Sequence, residues 1–302
     1  MALPSFGLAD DIVGPLVVDS PDDSLRSCRV VQRLIDRAQR AIKRGVRLEH
    51  IKYNVARCNQ IDPGSLLILL HAAEQFIRLG CTAWVEGRGA AMQVIQENLA
   101  HYLVPRSHRP PAQQKGVYLL RKVSNRNDMV AELDDWAESV RQVTEAGQEE
   151  IALWQTQISE ITTNAFQHGP TLLNNQAFPI YMAGRAKEGM VQLAALDCGS
   201  GIPAVIATIN PPDRRDGRMI SYACQPGITS RCSPQNQGAG LPSLVSTIRD
   251  QGGLLQILSH DGLAYVKKGR MYNRTLPPRA NGSRRINGTL TIIAMKVRGG
   301  KR

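Results

Sequence analysis

The chain has 302 residues, 42% of them hydrophobic and 21% charged, the balance of a soluble globular protein long enough for two separate cores. Its formal charge of +11 and isoelectric point near 9.7 admit an anionic partner. The opening "MALPSFGLADDIVGP" is acidic where a secretory leader is basic, and "LLILLHAA" (Leu66 to Ala73) is too short to cross a bilayer. A cytoplasmic protein with no membrane partner is therefore expected. Cys28, Cys58, Cys81, Cys198, Cys224 and Cys232 form no C-x-x-C pair and lack zinc-ligand spacing. Reduced thiols are expected, and a structural metal site is not.

"DDSLRSCRVVQRLIDRAQRAIKRG" has helical spacing and opens the predicted elements. From Glu49 the order is strand, turn, helix, strand, helix. "HIKYNVARC" alternates like a strand, and "QIDPGS" supplies a turn with a helix start at Asp62. "SLLILLHAAEQFIRLG" is an apolar helix stopped by Gly80, "CTAWVEG" a short buried strand, and "GAAMQVIQENLAHYL" a second amphipathic helix. "VPRSHRPPAQQKG" then brings three prolines and a charge cluster, a domain boundary or a long exposed loop, and the chain is divided there into a first unit over 1–115 and a second over 116–302.

The second unit starts with the polar helix "NDMVAELDDWAESVRQVTEAG" and a helix ending in "EITTNAFQHG". The strands "AFPIYMAGR" and "GMVQLAALD" follow, and then a glycine loop. Beyond a second glycine pair come the helix "GLPSLVSTIRDQGG" and strand-like "LLQILS", "LAYVKKG" and "GTLTIIAMKV". Helices with hairpin-linked strands point to an α+β sandwich.

Three places in this unit carry chemistry. Glu160, Asn164 and His168 recur every four residues, so on a helix they drift only about 40° per step and look along one stripe. That stripe lies beside the apolar one of Ile151, Trp154, Ile158, Ile161 and Ala165, the layout of a wall of a polar pocket. Asp197 ends a buried strand and is followed by Gly199, Gly201 and Ile202. A lone carboxylate there can accept a hydrogen bond from an exocyclic amine, and the glycines let backbone approach a flat ligand. Gly238, Gly240 and Leu241 lead into a helix whose N-terminal N–H groups can seat a phosphate. The stretch between the two glycine loops is rich in Pro, Gly, Ser and Arg, and is expected to be a loop or mobile lid. The basic runs "PPRANGSRR" and "KVRGGKR" carry no interleaved aromatics, which gives no support for base stacking.

In order, Glu160-x-x-x-Asn164-x-x-x-His168, Asp197-x-Gly199-x-Gly201-Ile202, Gly238-x-Gly240-Leu241 and Gly288-Thr289 resemble the motifs of the GHKL ATPase superfamily. That superfamily includes gyrase-type topoisomerases, Hsp90, MutL proteins and histidine-kinase catalytic domains. "TNAFQHG" and "PGITSRCSPQNQGAGL" look most like its anti-sigma-factor serine kinase branch. The resemblance covers about 145–300 and implies a two-layer α+β sandwich, the Bergerat fold, that binds ATP with Mg²⁺. It implies that Glu160 is the general base and that Asn164 holds the metal. His168 would bond the phosphates or the lid, and Asp197 would read the adenine amine between Gly199, Gly201 and Ile202. Gly238, Gly240 and Leu241 would seat phosphates, Thr289 would support the adenine, and Arg231 would contact phosphate. No His-Glu-x-x-x-Pro phosphoacceptor helix is found, so a histidine kinase is not expected.

The first unit, through "QIDPGSLLILLHAAEQFIRLGCTAWVEG", resembles the α/β STAS domain of anti-sigma-factor antagonists over about 45–105. That family carries a phosphorylated serine in an Asp-Ser-Ser-Gly turn, whereas this chain has Asp62-Pro63-Gly64-Ser65. The resemblances imply a regulatory protein with a protein partner for the first unit, and a homodimer by analogy. They leave open slow ATP hydrolysis, phosphotransfer to a protein Ser/Thr, or ATP binding without turnover as an interaction switch. Charge alone adds a nucleic-acid-associated ATPase.

Overall fold

A computed structural model describes residues 5–13, 40, 44, 47–57, 61–78, 80–87, 90–99, 104–106, 117–123, 126–144, 146–168, 180–187, 189–230, 240–277 and 286–297. The chain divides into two compact units, Met1–Lys115 and Gly116–Arg302.

The first unit is α/β. Strands β1 (Ser5–Val13), β2 (Arg47–Arg57), β3 (Thr82–Glu86) and β4 (Val104–Arg106) form a sheet in that order, every neighbouring pair parallel. Parallel neighbours need crossovers, which the helices Pro63–Arg78 and Ala90–Leu99 supply from β2 to β3 and from β3 to β4. The helix Pro63–Arg78 starts where Asp62 predicts. Asp62 Oδ1 accepts the Ser65 N–H at 2.7 Å, its carbonyl accepts the Leu66 N–H at 2.9 Å, and Pro63 occupies the first helical position. The stop at Gly80 is equally explicit: Cys81 N–H reaches back to Phe76 O and Gly80 N–H to Ile77 O, both at 2.9 Å. Leu66, Leu67, Leu69, Leu70 and Phe76 are wholly buried. The helix predicted over 22–45 lies outside the described residues, save Arg40 and Arg44.

The second unit is α+β, with a seven-stranded antiparallel sheet. Its strands are β5 (Val117–Val123), β6 (Ile180–Lys187), β7 (Met190–Asp197), β8 (Leu254–His260), β9 (Gly262–Lys267), β10 (Arg270–Thr275) and β11 (Ile286–Lys296), in the order β10-β9-β8-β11-β7-β6-β5. The last strand, β11, thus inserts between β8 and β7. One sheet face, with Met182, Val191, Leu193, Ile293, Leu255, Ile257, Ala264 and Val266, shares a core chiefly with three helices. These are Arg126–Val143 (Leu133, Trp136, Val140), Gln148–His168 (Trp154, Ile158, Ile161, Ala165) and Gly240–Gln251 (Leu244, Val245, Ile248). Residues of the opposite face, among them Tyr181, Leu196, Leu258 and Leu290, are buried as well.

One expectation is corrected. The stretch after Gly201 is no loose lid through Ser230. It folds into the helix Ile202–Ile206, a 3-10 turn Ala207–Ile209 and the helix Asp216–Ala223. Met219, Ile220 and Ala223 of the latter are buried. Asp261 N–H donates to Asp216 Oδ2 at 3.0 Å and Gly217 N–H to Thr275 Oγ1 at 2.8 Å, which tie the helix start to the β8–β9 turn and to β10. The spacing Met219, Ile220, Ala223 is a single helical turn, too short for a periodicity signal amid Pro and Arg. The rest of the expected lid, 231–239, lies outside the described residues.

Candidate functional site

Gln148–His168 is amphipathic, and it buries the stripe its sequence implies: Ile151, Trp154, Ile158, Ile161 and Ala165. Glu160 and Asn164, one turn apart, sit half-buried along the flank. His168 is the last residue of this helix, and its side chain lies outside the described residues, as do Arg231 and Gly238.

Gly240 opens the helix Gly240–Gln251 directly against that flank. A Cβ built there would stand 2.7 Å from Glu160 Oε2 and 3.1 Å from Asn164 Nδ2. Residues 76 and 80 positions apart in sequence thereby meet at one helix N-terminus. That terminus carries the positive end of the helix dipole and backbone N–H groups with no partner inside the helix. The neighbouring Leu241 packs on the buried cluster Ile206, Met219 and Ala223, and Ile202 packs on the same cluster. This hydrophobic bridge joins the glycine loop after β7 to the one before the last helix.

Asp197 lies at the end of β7, buried, with Oδ1 accepting the Gly199 N–H at 3.0 Å. Burial pushes its carboxyl up to about 6, against a pull downward from bonds to the Gly199 backbone and to the backbone and hydroxyl of Thr289. Thr289 is its cross-strand partner on β11. It reaches that register through an irregularity between Ile286 and Thr289 that leaves Gly288 at φ +92°. Any side chain at Gly288 would collide with the Asp197 carbonyl.

Two residues that sequence reasoning missed complete this end. Ser259 Oγ accepts the Ile202 N–H at 3.0 Å, donates to Gly288 O at 2.7 Å and lies 3.1 Å from Thr289 Oγ1. His260 places Nε2 2.6 Å from Ser200 O, and because a carbonyl only accepts, Nε2 carries the proton. Gly201 fits between them: a Cβ there would stand 2.5 Å from His260 Nε2 and 2.8 Å from Ser259 Oγ. In "LQILSHDG" these residues resemble the polar end of any strand before a turn, so the sequence holds no local signal for them.

The hydroxyls have a proton count that bears on Asp197. Ser259 has one proton, committed to Gly288 O. With Asp197 ionised, the Thr289 proton goes to the carboxylate and the Ser259–Thr289 contact has none. With Asp197 protonated, a single direction of donation runs from Asp197 through Thr289 and Ser259 to Gly288 O. An ionised Asp197 accepts from the Gly199 and Thr289 N–H groups and from the Thr289 hydroxyl, and these bonds oppose the effect of burial.

The described cysteines Cys81, Cys198 and Cys224 are in no disulfide, and burial pushes Cys224 up to about 12, which keeps it an unreactive thiol. Among the described residues no helix is long and apolar enough to cross a membrane, and no cluster of three His, Cys, Asp or Glu could hold a metal. No known protein family and no curated protein matches the chain.

Proposed function

We propose that residues 116–302 form an ATP-binding module of the GHKL type, with the Bergerat sandwich as its fold, in a regulatory protein that works with Mg²⁺. The observation that carries this reading is Gly240 seated against Glu160 and Asn164 at a helix N-terminus. The arrangement has a physical consequence. Glu160 already places a carboxylate beside the positive helix end, so a triphosphate arriving there meets a like charge. A divalent cation between them removes that repulsion, and Asn164, a neutral oxygen ligand next to Glu160, is suited to hold it. Mg²⁺ would supply charge neutralisation at the phosphates.

Asp197 suits the purine. Ionised, it offers acceptor lone pairs to an exocyclic amine inside a buried site, where such a charge-assisted bond contributes about 1.5–3 kcal/mol. Thr289 and Ser259 hold that carboxylate in place. Glu160 acts as general base, taking the proton of a water or of a protein Ser/Thr hydroxyl as its oxygen attacks the γ-phosphorus, with ADP as the leaving group. Both outcomes use the same residue and differ only in the attacking hydroxyl.

The first unit, read as STAS-like, is the docking half for a protein partner. Ser65, the serine nearest to the family's modified turn, is 1% exposed and its N–H is held by Asp62. At that exposure Ser65 is closed to a kinase in the folded protein.

Calorimetric titration with ATP, with and without Mg²⁺, tests the reading. Binding is expected to require Mg²⁺ for full affinity and to be lost in Asp197→Asn. Unchanged binding in that variant overturns the site. Glu160→Ala with unchanged phosphate release would instead identify an interaction switch without turnover.

A further inference from the structure

The charge of this chain is not spread evenly. After Asp261 no Asp or Glu occurs, while eleven Lys and Arg do, so residues 262–302 carry the whole net excess of +11 and the first 261 residues are electrically balanced. The runs at 277–285 and 296–302 have no aromatic residue, but strand register supplies what they lack. In the outer hairpin, Lys268 and Gly269 have φ of 50° and 70°, the left-handed pair of a type I′ turn. That turn sets Lys267 opposite Arg270, Tyr265 opposite Tyr272 and Leu263 opposite Arg274.

Ala264, Val266 and Met271 face the helices, so the alternating residues Tyr265, Lys267, Arg270, Tyr272 and Arg274 share the other face. The two tyrosine rings stack with centroids 5.2 Å apart and planes at 18°, and Tyr272 is 42% exposed. Lys267, Lys268 and Arg270 are exposed and have no carboxylate partner among the described residues. β10 is the edge strand of its sheet, so no further strand pairs beyond it.

We infer that the β9–β10 hairpin is a binding surface for single-stranded nucleic acid. A base would stack on the exposed ring of Tyr272, and the backbone phosphates would lie along Lys267, Lys268 and Arg270. A paired aromatic platform is what separates this occupant from other polyanions. An acidic peptide or an anionic membrane would use the cations and gain little from a flat ring, whereas every nucleobase has a face to offer it. Two stacked tyrosines also present a ring already fixed in orientation, which lowers the ordering cost of binding. This surface uses none of the residues assigned to the nucleotide site.

Fluorescence anisotropy of labelled oligo-dT and oligo-U with the full chain tests it. Wild type is expected to bind, with an affinity that falls steeply with salt. Tyr272→Ala should weaken binding by about 5- to 150-fold, and Tyr272→Phe should retain it, since the ring face remains. Lys267→Gln combined with Arg270→Gln should flatten the log–log salt dependence by roughly 0.7 for each phosphate no longer neutralised. Far-ultraviolet circular dichroism of each variant checks that these exposed substitutions leave the fold intact. Three results would overturn the inference. The first is no binding at low salt, and the second is full affinity in Tyr272→Ala. The third is equal affinity for poly-glutamate or phosphatidylserine vesicles with the same dependence on Tyr272.

Discussion

Two helix N-termini in this molecule face the same problem and solve it in opposite ways. At Pro63–Arg78, Asp62 turns its own carboxylate onto the Ser65 N–H, and Asp62 and Ser65 are both buried. That helix start satisfies itself and has no room for an anion. At Gly240–Gln251 the preceding residue is Ala239, which has no side-chain acceptor, and the first residue is a glycine. The neighbouring carboxylate comes instead from Glu160, on another helix and 80 positions away in sequence. A helix start can receive an anion where its first N–H groups are not already held by a residue of the chain's own turn.

The largest expected effect tests whether the second terminus belongs to a ligand site at all. Asp197→Asn should reduce ATP affinity by at least tenfold, the loss of one charge-assisted bond in a buried site, in calorimetric titration. It should not lower the melting temperature of the free protein at neutral pH. Holding Asp197 ionised near pH 7, with its carboxyl at about 6 against the ordinary 3.8, costs the fold on the order of 3 kcal/mol, and the amide avoids that cost. A destabilised variant would make Asp197 a structural residue and break the comparison.

Next in size is Gly240→Ala. The new Cβ would meet the far ends of two flexible side chains, Glu160 and Asn164, so the fold should survive while both groups move off their positions. About tenfold weaker MgATP binding or slower phosphate release is expected, about 1.4 kcal/mol, with a melting temperature near that of wild type. Asp62→Ala should do the reverse. It should cost about 0.5–2 kcal/mol of stability in denaturant unfolding, as for other lost caps, and leave ATP binding untouched. The pair of variants separates the two termini cleanly, and a shared phenotype would refute the distinction between them.

Acid sharpens the same contrast. An amine donor needs Asp197 ionised, so ATP affinity should hold above pH 6 and fall about tenfold per unit below it. The stability linkage has the opposite sign. A carboxyl raised above its unfolded value contributes stability that is complete below about pH 4 and is lost as pH rises through about 6. Nucleotide binding and this component of apo stability should therefore change in opposite directions across pH 4–6, measurable by titration and thermal melts in the same buffers.

On nucleotide binding, the smallest effect is expected at Ser259→Ala, which acts on stability instead. It leaves the Ile202 N–H without its partner and removes the donor to Gly288 O, a loss of about 1–3 kcal/mol in unfolding free energy. The Asp197 end of the site should loosen while the Glu160 end stays as it is.

Much of this molecule was legible in its residues. The helix Pro63–Arg78 announces its start through Asp62-Pro63 and its end through Gly80, because capping is local chemistry between near neighbours. Gln148–His168 announces its core stripe and its polar flank, because helical spacing is a property of the chain alone. The run Met190–Leu196 announces a buried strand in the same way. What sequence could not supply is whatever depends on register or on contact between distant segments. The strand β10, "RMYNRT", has a mostly exposed face, so it carries too weak an apolar alternation to be seen as a strand. The helix Asp216–Ala223 is too short to show a period. Ser259 and His260 gain their partners only when β8, β11 and the loop after β7 come together. The pairing of Tyr265 with Tyr272 follows from a two-residue turn that fixes which residues face each other. Local rules decide which elements form, because they act through neighbouring residues and cooperative hydrogen bonds. Which side chains meet was decided by tertiary structure, because burial and register are set by the sheet as a whole.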